Sequence, residues 1–354
     1  MKLVMTLLVR DHAEIIDANI AFHLNAGVDF VVVTDNRSVD GTTDILESYA
    51  REGVVHLIRE PSDTFRQDEW ITRMARLAAV EFGADWVINA DADEFWWPRG
   101  DSLKSVLAEI PERYGVVRAL WRHFPPRPDD GRFFAERMTV RMAPHVAVTS
   151  PLSQYVANAE SEKSAHRADP TVFRRDKHLF TMSSRRLVPL RGWYPIEVLH
   201  FPLRTEEQCA RKYLGHVQAG RPLAYQERAV DAYQVGKMQE FYSSLVVDDA
   251  TLNRGVEDGS LVIDTRLRDA LRALRVESGQ HPFALPSGDR NLLSFPKPDL
   301  VDEMIYAADA ALLDEATVVR LQARLDRIET EINSLRLTRR AKLRWKITHL
   351  LGRR

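Results

Sequence analysis

Two carboxylates one residue apart, Asp91 and Asp93, follow directly on the apolar run Trp86–Ala90. On an extended segment, carboxylates at i and i+2 can both reach one hard cation. Mg2+ or Mn2+ held in this way keeps positions open for phosphate oxygens and acts as a Lewis acid on a diphosphate leaving group. Asp-x-Asp is common in solvated turns, so its placement decides its meaning. Here it ends a buried strand in a regular array of strands and helices, where open α/β sheets bind their ligands.

The elements that must position the pair alternate along the first 90 residues. Leu3–Val9 predicts a strand rather than a signal-peptide core, because it is short, contains Thr6 and runs straight into Arg10, Asp11 and His12. Helical spacing covers Glu14–Ala26 and stops at Gly27. The β-branched run Val28–Thr34 predicts a strand covered on both faces. Asp40-Gly41-Thr42 opens a helix to about Arg51, Val54–Ile58 is a third strand, Gln67–Phe82 a helix and Trp86–Ala90 a fourth strand. Short connections between such elements imply right-handed crossovers and a mixed, mostly parallel, Rossmann-like sheet flanked by helices. The residues at the carboxyl ends of its strands are Arg10 and Asp11, Asp35–Asp40, Arg59–Asp68 and Asp91–Glu94.

Beyond Pro98 the pattern loosens. A helix is predicted over Leu103–Ile110, a strand over Val116–Phe124, and short strands near His178–Met182 and Glu197–Phe201. Helices resume at Thr205–Gln218 and Ala229–Leu245, residues 251–300 carry little signal, and Ser287–Pro298 has the composition of a linker. The expected organisation is one domain over 1–250, with halves at 1–97 and 98–250, then an extension over 251–300 and a helical tail over 301–354.

Composition excludes several classes. The 354 residues are 45% hydrophobic and 28% charged, as in a globular chain able to bury a large core. The single cysteine, Cys209, rules out an intramolecular disulfide and a multi-cysteine zinc site, and favours a reducing, cytoplasmic setting. No GxG occurs, so a glycine-rich dinucleotide loop is excluded. The net charge is −2, yet Arg336–Arg354 holds eight basic residues and no acidic one, which leaves −10 on residues 1–335. An acidic body argues against nucleic-acid binding.

Asp35-Asn-Arg-Ser38-Val-Asp40-Gly41-Thr42 after the second strand, with Asp91-Ala-Asp93-Glu94-Phe95 after the fourth, resembles the family 2 glycosyltransferases of GT-A fold, in particular the subgroup that includes the related family 92 enzymes. The matching segment runs from Arg10 to Thr42 and includes His23, Gly27, Val28 and Asp29. The resemblance is strong over 1–97, loose over 98–220 and absent beyond. It implies an inverting, metal-dependent transferase that takes a sugar from a nucleoside-diphosphate donor. By it, Asp35 meets the nucleoside, Asp91 and Asp93 hold Mn2+ or Mg2+ with the diphosphate, and Arg10, Lys177 and Arg204 contact the donor, with Lys212 as a further cation. A late histidine that serves metal or diphosphate in related enzymes corresponds to His200. One departure is plain: where the family has Glu after the Asn or Asp of its first motif, this chain has Asp11-His12, with Glu14 two residues on.

Inverting transfer also needs a carboxylate to take the acceptor's proton. Asp129, Asp130, Glu136, Glu160, Asp176 and Glu197 lie in range, and Glu136 and Glu197 sit nearest to apolar, strand-like sequence. Trp96, Trp97, Trp121 and Trp193 are either core residues or sugar-stacking platforms. In the tail, Val318, Leu321, Leu325, Ile328, Ile332 and Leu335 follow heptad spacing, which serves either a helix packed on its own domain or homo-oligomer formation. The basic end, with Trp345, Ile347, Leu350 and Leu351, has the composition of an interfacial helix on the anionic inner face of the plasma membrane. The acceptor expected there is a glycan or a lipid-linked saccharide. A nucleotidyltransferase of similar layout and a scaffold without chemistry are the alternatives.

Overall fold

The computed structural model describes residues 1–62, 66–144, 162–176, 179–182, 188–190, 193–218, 224–286 and 291–311. The alternation read from the first 90 residues forms as expected: β1 (Leu3–Val9), α1 (Ala13–Asn25), β2 (Phe30–Asp35), α2 (Thr42–Arg51), β3 (Val55–Arg59), α3 (Gln67–Val80) and β4 (Trp86–Asp91). These strands pair in parallel in the order β3-β2-β1-β4. Alternate residues of each strand bury opposite faces. Leu3, Met5 and Leu7 meet Ile16, Ile20 and Leu46 on one side, while Val4, Val32 and Val87 meet Ile71, Met74 and Ala78 on the other.

Further strands follow as β5 (Glu94–Pro98), β6 (Tyr114–His123), β7 (Val140–Met142), β8 (Glu162–Arg167), β9 (Phe173–Asp176), β10 (Leu179–Thr181), β11 (Val188–Pro189), β12 (Ile196–His200) and β13 (Leu261–Ile263). The main sheet extends beyond β4 as β8-β6-β12-β5, with β11 against β6. β8 is antiparallel to both β4 and β6, β12 is parallel to β6, and β5 closes the edge antiparallel to β12. The sheet is thus mixed and mostly parallel, with helices on both faces.

α1 fixes the turn that carries the two carboxylates. Asn19 Nδ2 donates to the carbonyls of Ala92 (3.0 Å) and Glu94 (2.8 Å). His23 Nδ1 donates to Asn19 O at 2.8 Å, and its Nε2 accepts the Trp96 amide at 3.1 Å. Complete burial lowers the His23 pKa to about 4, which keeps the ring neutral as an acceptor must be. Gly27 ends the helix region at φ +106°, and a side chain there would press on Ser102 and Lys104.

The second half departs from the sequence reading in three places. The helix predicted over Ala229–Leu245 is two, Ala224–Gln234 and Met238–Ser243, broken at Gly236 with φ 71°. Residues 251–300 contain a helix over Asp249–Glu257, β13 and a helix over Arg266–Leu274, each too short for its periodicity to stand out. The expected linker Ser287–Pro298 is, in its described part, a strap packed on the first half. Asn25 Oδ1 accepts the Leu292 amide at 3.0 Å, and Phe295 is buried against Trp97 and Phe22. A last described helix, residues 300–311, seats Tyr306 and Ala310 on Leu120 and Tyr194. Among the described residues, no helix is long and apolar enough to cross a membrane.

Candidate active site

The carboxyl ends of β1, β4, β6 and β12 converge on one cluster. Ala92 and Asp93 form a turn rather than continuing the strand, so Asp91 and Asp93 take different partners. Lys212 Nζ, from the helix Glu206–Gln218, donates to Asp93 Oδ2 at 2.7 Å, and Arg204 lies 3.9 Å from the same oxygen. Asp93 Oδ1 faces His200 Nε2 at 3.7 Å. Burial alone would raise the Asp93 pKa, but Lys212, then His200, Arg204 and His12, hold it well below the usual carboxylate range. Lys163 of β8 is buried and bridges Asp91 Oδ2 (2.9 Å) and Glu94 Oε2 (3.0 Å). Glu94 is pushed up to about 8 by burial, with Asp91 and Asp93 adding to the shift and Lys163 opposing it.

His200 is held from behind. Its Nδ1 lies 3.0 Å from His123 Nδ1, and its ring stacks on Trp121 with centroids 4.8 Å apart. In the tautomer that donates Nδ1–H to His123, His200 keeps an Nε2 lone pair on the side of Asp93, the arrangement by which metal-binding histidines are oriented. Two donors at about 2.1 Å from one ion stand roughly 3 Å apart when cis and roughly 4 Å when trans. The separation of 3.7 Å between Asp93 Oδ1 and His200 Nε2 lies between those two spacings, so a small side-chain adjustment would bring both onto one ion. Among the described residues, no group of three or more His, Cys, Asp or Glu gathers closely enough to hold an ion alone. The donor set fits a Mg2+ or Mn2+ ion that shares its coordination with phosphate oxygens and water.

Residues 5–179, just under half of the chain, match glycosyltransferase family 92. That segment is a glycosyltransferase domain similar to family 92. Among solved structures, S. aureus TarS 1-349 is similar at 15% identity over 73% of this chain and 72% of that one, with a TM-score of 0.36. The same fragment in complex with UDP-GlcNAc gives 14% identity over 70% and 74%, with a TM-score of 0.35. Glucosyl-3-phosphoglycerate synthase from Mycobacterium tuberculosis, in complex with Mn2+, UDP and glucosyl-3-phosphoglycerate, gives 16% identity over 47% and 57%, with a TM-score of 0.28. No curated protein matches the chain.

Of the residues expected in this glycosyltransferase site, Asp91, Asp93, His200 and Arg204 come together. Arg204 is buried and does more than face the donor. Its guanidinium binds Glu14 Oε1, His12 Nδ1 at 3.2 Å and Phe201 O at 2.8 Å. Burial would raise the Glu14 pKa, but the hydrogen bond from His12 and the charge of Arg204 bring it down to about 2. Glu14, one residue into α1, thus brings a carboxylate onto Arg204 beside His12. Asp35 shapes its own loop: its carboxylate accepts Ser38 N (3.1 Å), Ser38 Oγ (2.6 Å) and Thr43 Oγ1 (2.5 Å). Arg10 is exposed, 3.7 Å from Asp11. Lys177 lies outside the described residues.

Neither base candidate enters the cluster. Glu197 is clamped between Arg122 Nε (2.5 Å) and Arg266 (2.6 Å), buried, and held well below the usual carboxylate range by these two guanidinia against the opposing effect of burial. It stands three residues before His200 on β12, so the two side chains leave opposite faces of the sheet. Glu136 pairs with Arg272, remote from the strand ends. Of the four tryptophans, Trp121 alone touches a site residue, while Trp96 and Trp97 are core and Trp193 is exposed. Lys163 and His123 escaped the sequence reading, whereas Glu94 and Glu14 were noted there without a role. Only Glu94, inside the motif, and Glu14, acidic in the first turn of a helix, carried a sequence signal.

Proposed function

We propose that the enzyme transfers a sugar from a nucleoside-diphosphate donor to an acceptor hydroxyl with inversion, assisted by Mg2+ or Mn2+. The observation that carries this reading is the open edge formed by Asp93 Oδ1 and His200 Nε2, flanked by Lys212 and Arg204 at the strand ends of a glycosyltransferase domain. Asp93 and His200 would hold the ion, with Asp91 beside them; when bound, it supplies Lewis-acid neutralisation of the departing diphosphate. Lys212 balances the charge of Asp93 now and lies where it can turn to a phosphate oxygen. Arg204, tied to Glu14, keeps that side of the site rigid and cationic. Asp35, at the end of β2, is the residue proposed to meet the nucleoside.

The test is a screen of nucleoside diphosphates and their sugars for thermal stabilisation, with Mg2+ or Mn2+ and with chelator. One nucleotide is expected to raise the Tm in the presence of metal, by about 2.7 kcal/mol of stability at a hundredfold excess over Kd. The corresponding nucleotide sugar should be hydrolysed slowly to nucleoside diphosphate. Release of pyrophosphate instead would make the protein a nucleotidyltransferase, and no response to any nucleotide would make it a scaffold.

The acceptor we propose is a glycan or lipid-linked saccharide at the cytoplasmic face of the membrane. Support comes from the basic, apolar-interleaved sequence Arg336–Arg354, which lies outside the described residues. Vesicles of anionic lipid should sediment the full chain at low salt and release it at high salt. A chain lacking residues 336–354 that binds equally well would refute the anchor.

A further inference from the structure

Two cations face the Asp93 carboxylate, and they are held differently. Arg204 is 1% exposed, and its guanidinium has Glu14 Oε1 as a counter-ion, with Phe201 O and His12 Nδ1 as further contacts. Its charge is answered and its place is fixed. Lys212 is 26% exposed, and its ammonium donates to Asp93 Oδ2 at 2.7 Å and to the neutral carbonyl of Pro202 at 3.2 Å. The helix that carries it is seated without it, through Cys209, Ala210 and Tyr213 in a cluster with Met238 and Tyr242. Lys212 is therefore the movable cation of the two, a point charge on a flexible stem. Its ion-pair partner is the carboxylate proposed to hold the metal.

The two oxygens of Asp93 serve different ligands. Oδ2 is taken by Lys212, while Oδ1 looks toward His200 Nε2 at 3.7 Å. A divalent ion between Oδ1 and Nε2 would share one carboxylate with the ammonium, and the two positive charges would repel at short range in a buried setting. A diphosphate arriving alone would meet the Asp93 anion, a repulsion of the opposite sign of charge. Arriving together, the ion and the diphosphate relieve each other. The ammonium exchanges the carboxylate for a phosphate oxygen, one charge-assisted hydrogen bond for another, and Asp93 is left to the ion.

We propose that Lys212 is a displaceable counter-cation of Asp93 that makes the metal ion and the nucleoside diphosphate bind cooperatively, each weakly alone and tightly with the other. This role rests on the reading of the cluster as a metal–diphosphate site and specifies how that site fills. Coupling of this kind is reciprocal, and a factor of about 10 to 100 lies within its usual range. Removing Lys212 should consequently move the two affinities in opposite directions, which a lysine that merely supported the fold would not do.

Binding of Mn2+ without nucleotide is read from the loss of the free-ion electron paramagnetic resonance signal. Lys212→Met and Lys212→Gln should each bind Mn2+ about 10- to 100-fold more tightly than the parent chain. Combining Lys212→Met with Asp93→Asn should abolish the gain, which ties it to that carboxylate. At saturating Mn2+, calorimetry with UDP, GDP, ADP, CDP and dTDP identifies the diphosphate that the parent prefers. Both single variants should bind it about 10- to 100-fold more weakly, for the loss of one hydrogen bond between charged groups. Mn2+ affinity unchanged or lowered in both variants overturns the counter-cation role. A gain in Mn2+ affinity with nucleotide affinity unchanged overturns the exchange onto phosphate. A parent chain that binds none of these diphosphates, with or without Mn2+, overturns the reading of the site itself, a result distinct from the other two.

Discussion

Asp93→Ala is expected to abolish glycosyl transfer, with a loss in kcat of at least about 10²–10³-fold. Asp93 is the residue on which the site's charges converge: Lys212, His200, Arg204 and His12 together outweigh burial and keep it ionised. Its removal leaves Lys212 and Arg204 with less anionic charge to face and takes away the oxygen opposite His200 Nε2. Metal-dependent binding of nucleoside diphosphate should disappear with the activity. Asp93→Asn separates chemistry from folding, because it keeps the shape while losing the charge. A Tm near that of the parent with no metal-dependent binding supports the assignment. Undiminished metal-dependent nucleotide binding in either variant would remove Asp93 from the site.

Glu197→Ala is expected to cost about 3–5 kcal/mol of stability, because it leaves the buried Arg122 guanidinium and the half-buried Arg266 short of their shared anion. Arg122 and the Glu197 carboxylate are only 3% and 4% exposed, so water does not replace the lost partner. Arg266 retains Asp264, and Arg122 retains Asp309 at 3.8 Å, which keeps the loss within that range. For a chain of this size the Tm should fall by about 4–10 °C. Activity of the remaining folded protein is expected to stay close to that of the parent. The opposite pattern, an unchanged Tm with activity lost, would make Glu197 the catalytic base after all.

The sequence by itself determined the parallel half of the sheet and the address of the carboxylate pair. Apolar runs of strand length, helical spacing and glycine stops are local signals, and β1 through β4 carry them clearly. They put Asp91 at the end of a central strand, where a ligand belongs, and the motif spacing from Asp35 to Glu94 was enough to resemble a glycosyltransferase. The same period of two that revealed the strands would also have separated Glu197 from His200, since residues three apart on one strand cannot share a face.

Only the tertiary structure decided which distant residues meet. Lys163 reaches Asp91 because β8 inserts antiparallel between β4 and β6, a pairing across 72 residues that no local pattern encodes. His123 and His200 meet because β6 and β12 lie parallel and in register. Glu14 meets Arg204, 190 residues away in the chain. Strand order and register are fixed by long-range burial and hydrogen bonding summed over the whole sheet. A carboxylate in the sequence therefore announces its charge. Whether that charge serves a metal, as is proposed for Asp93, or fills a buried ionic clamp, as at Glu197, is set by the face of the strand it occupies and by the cations that the fold brings to it.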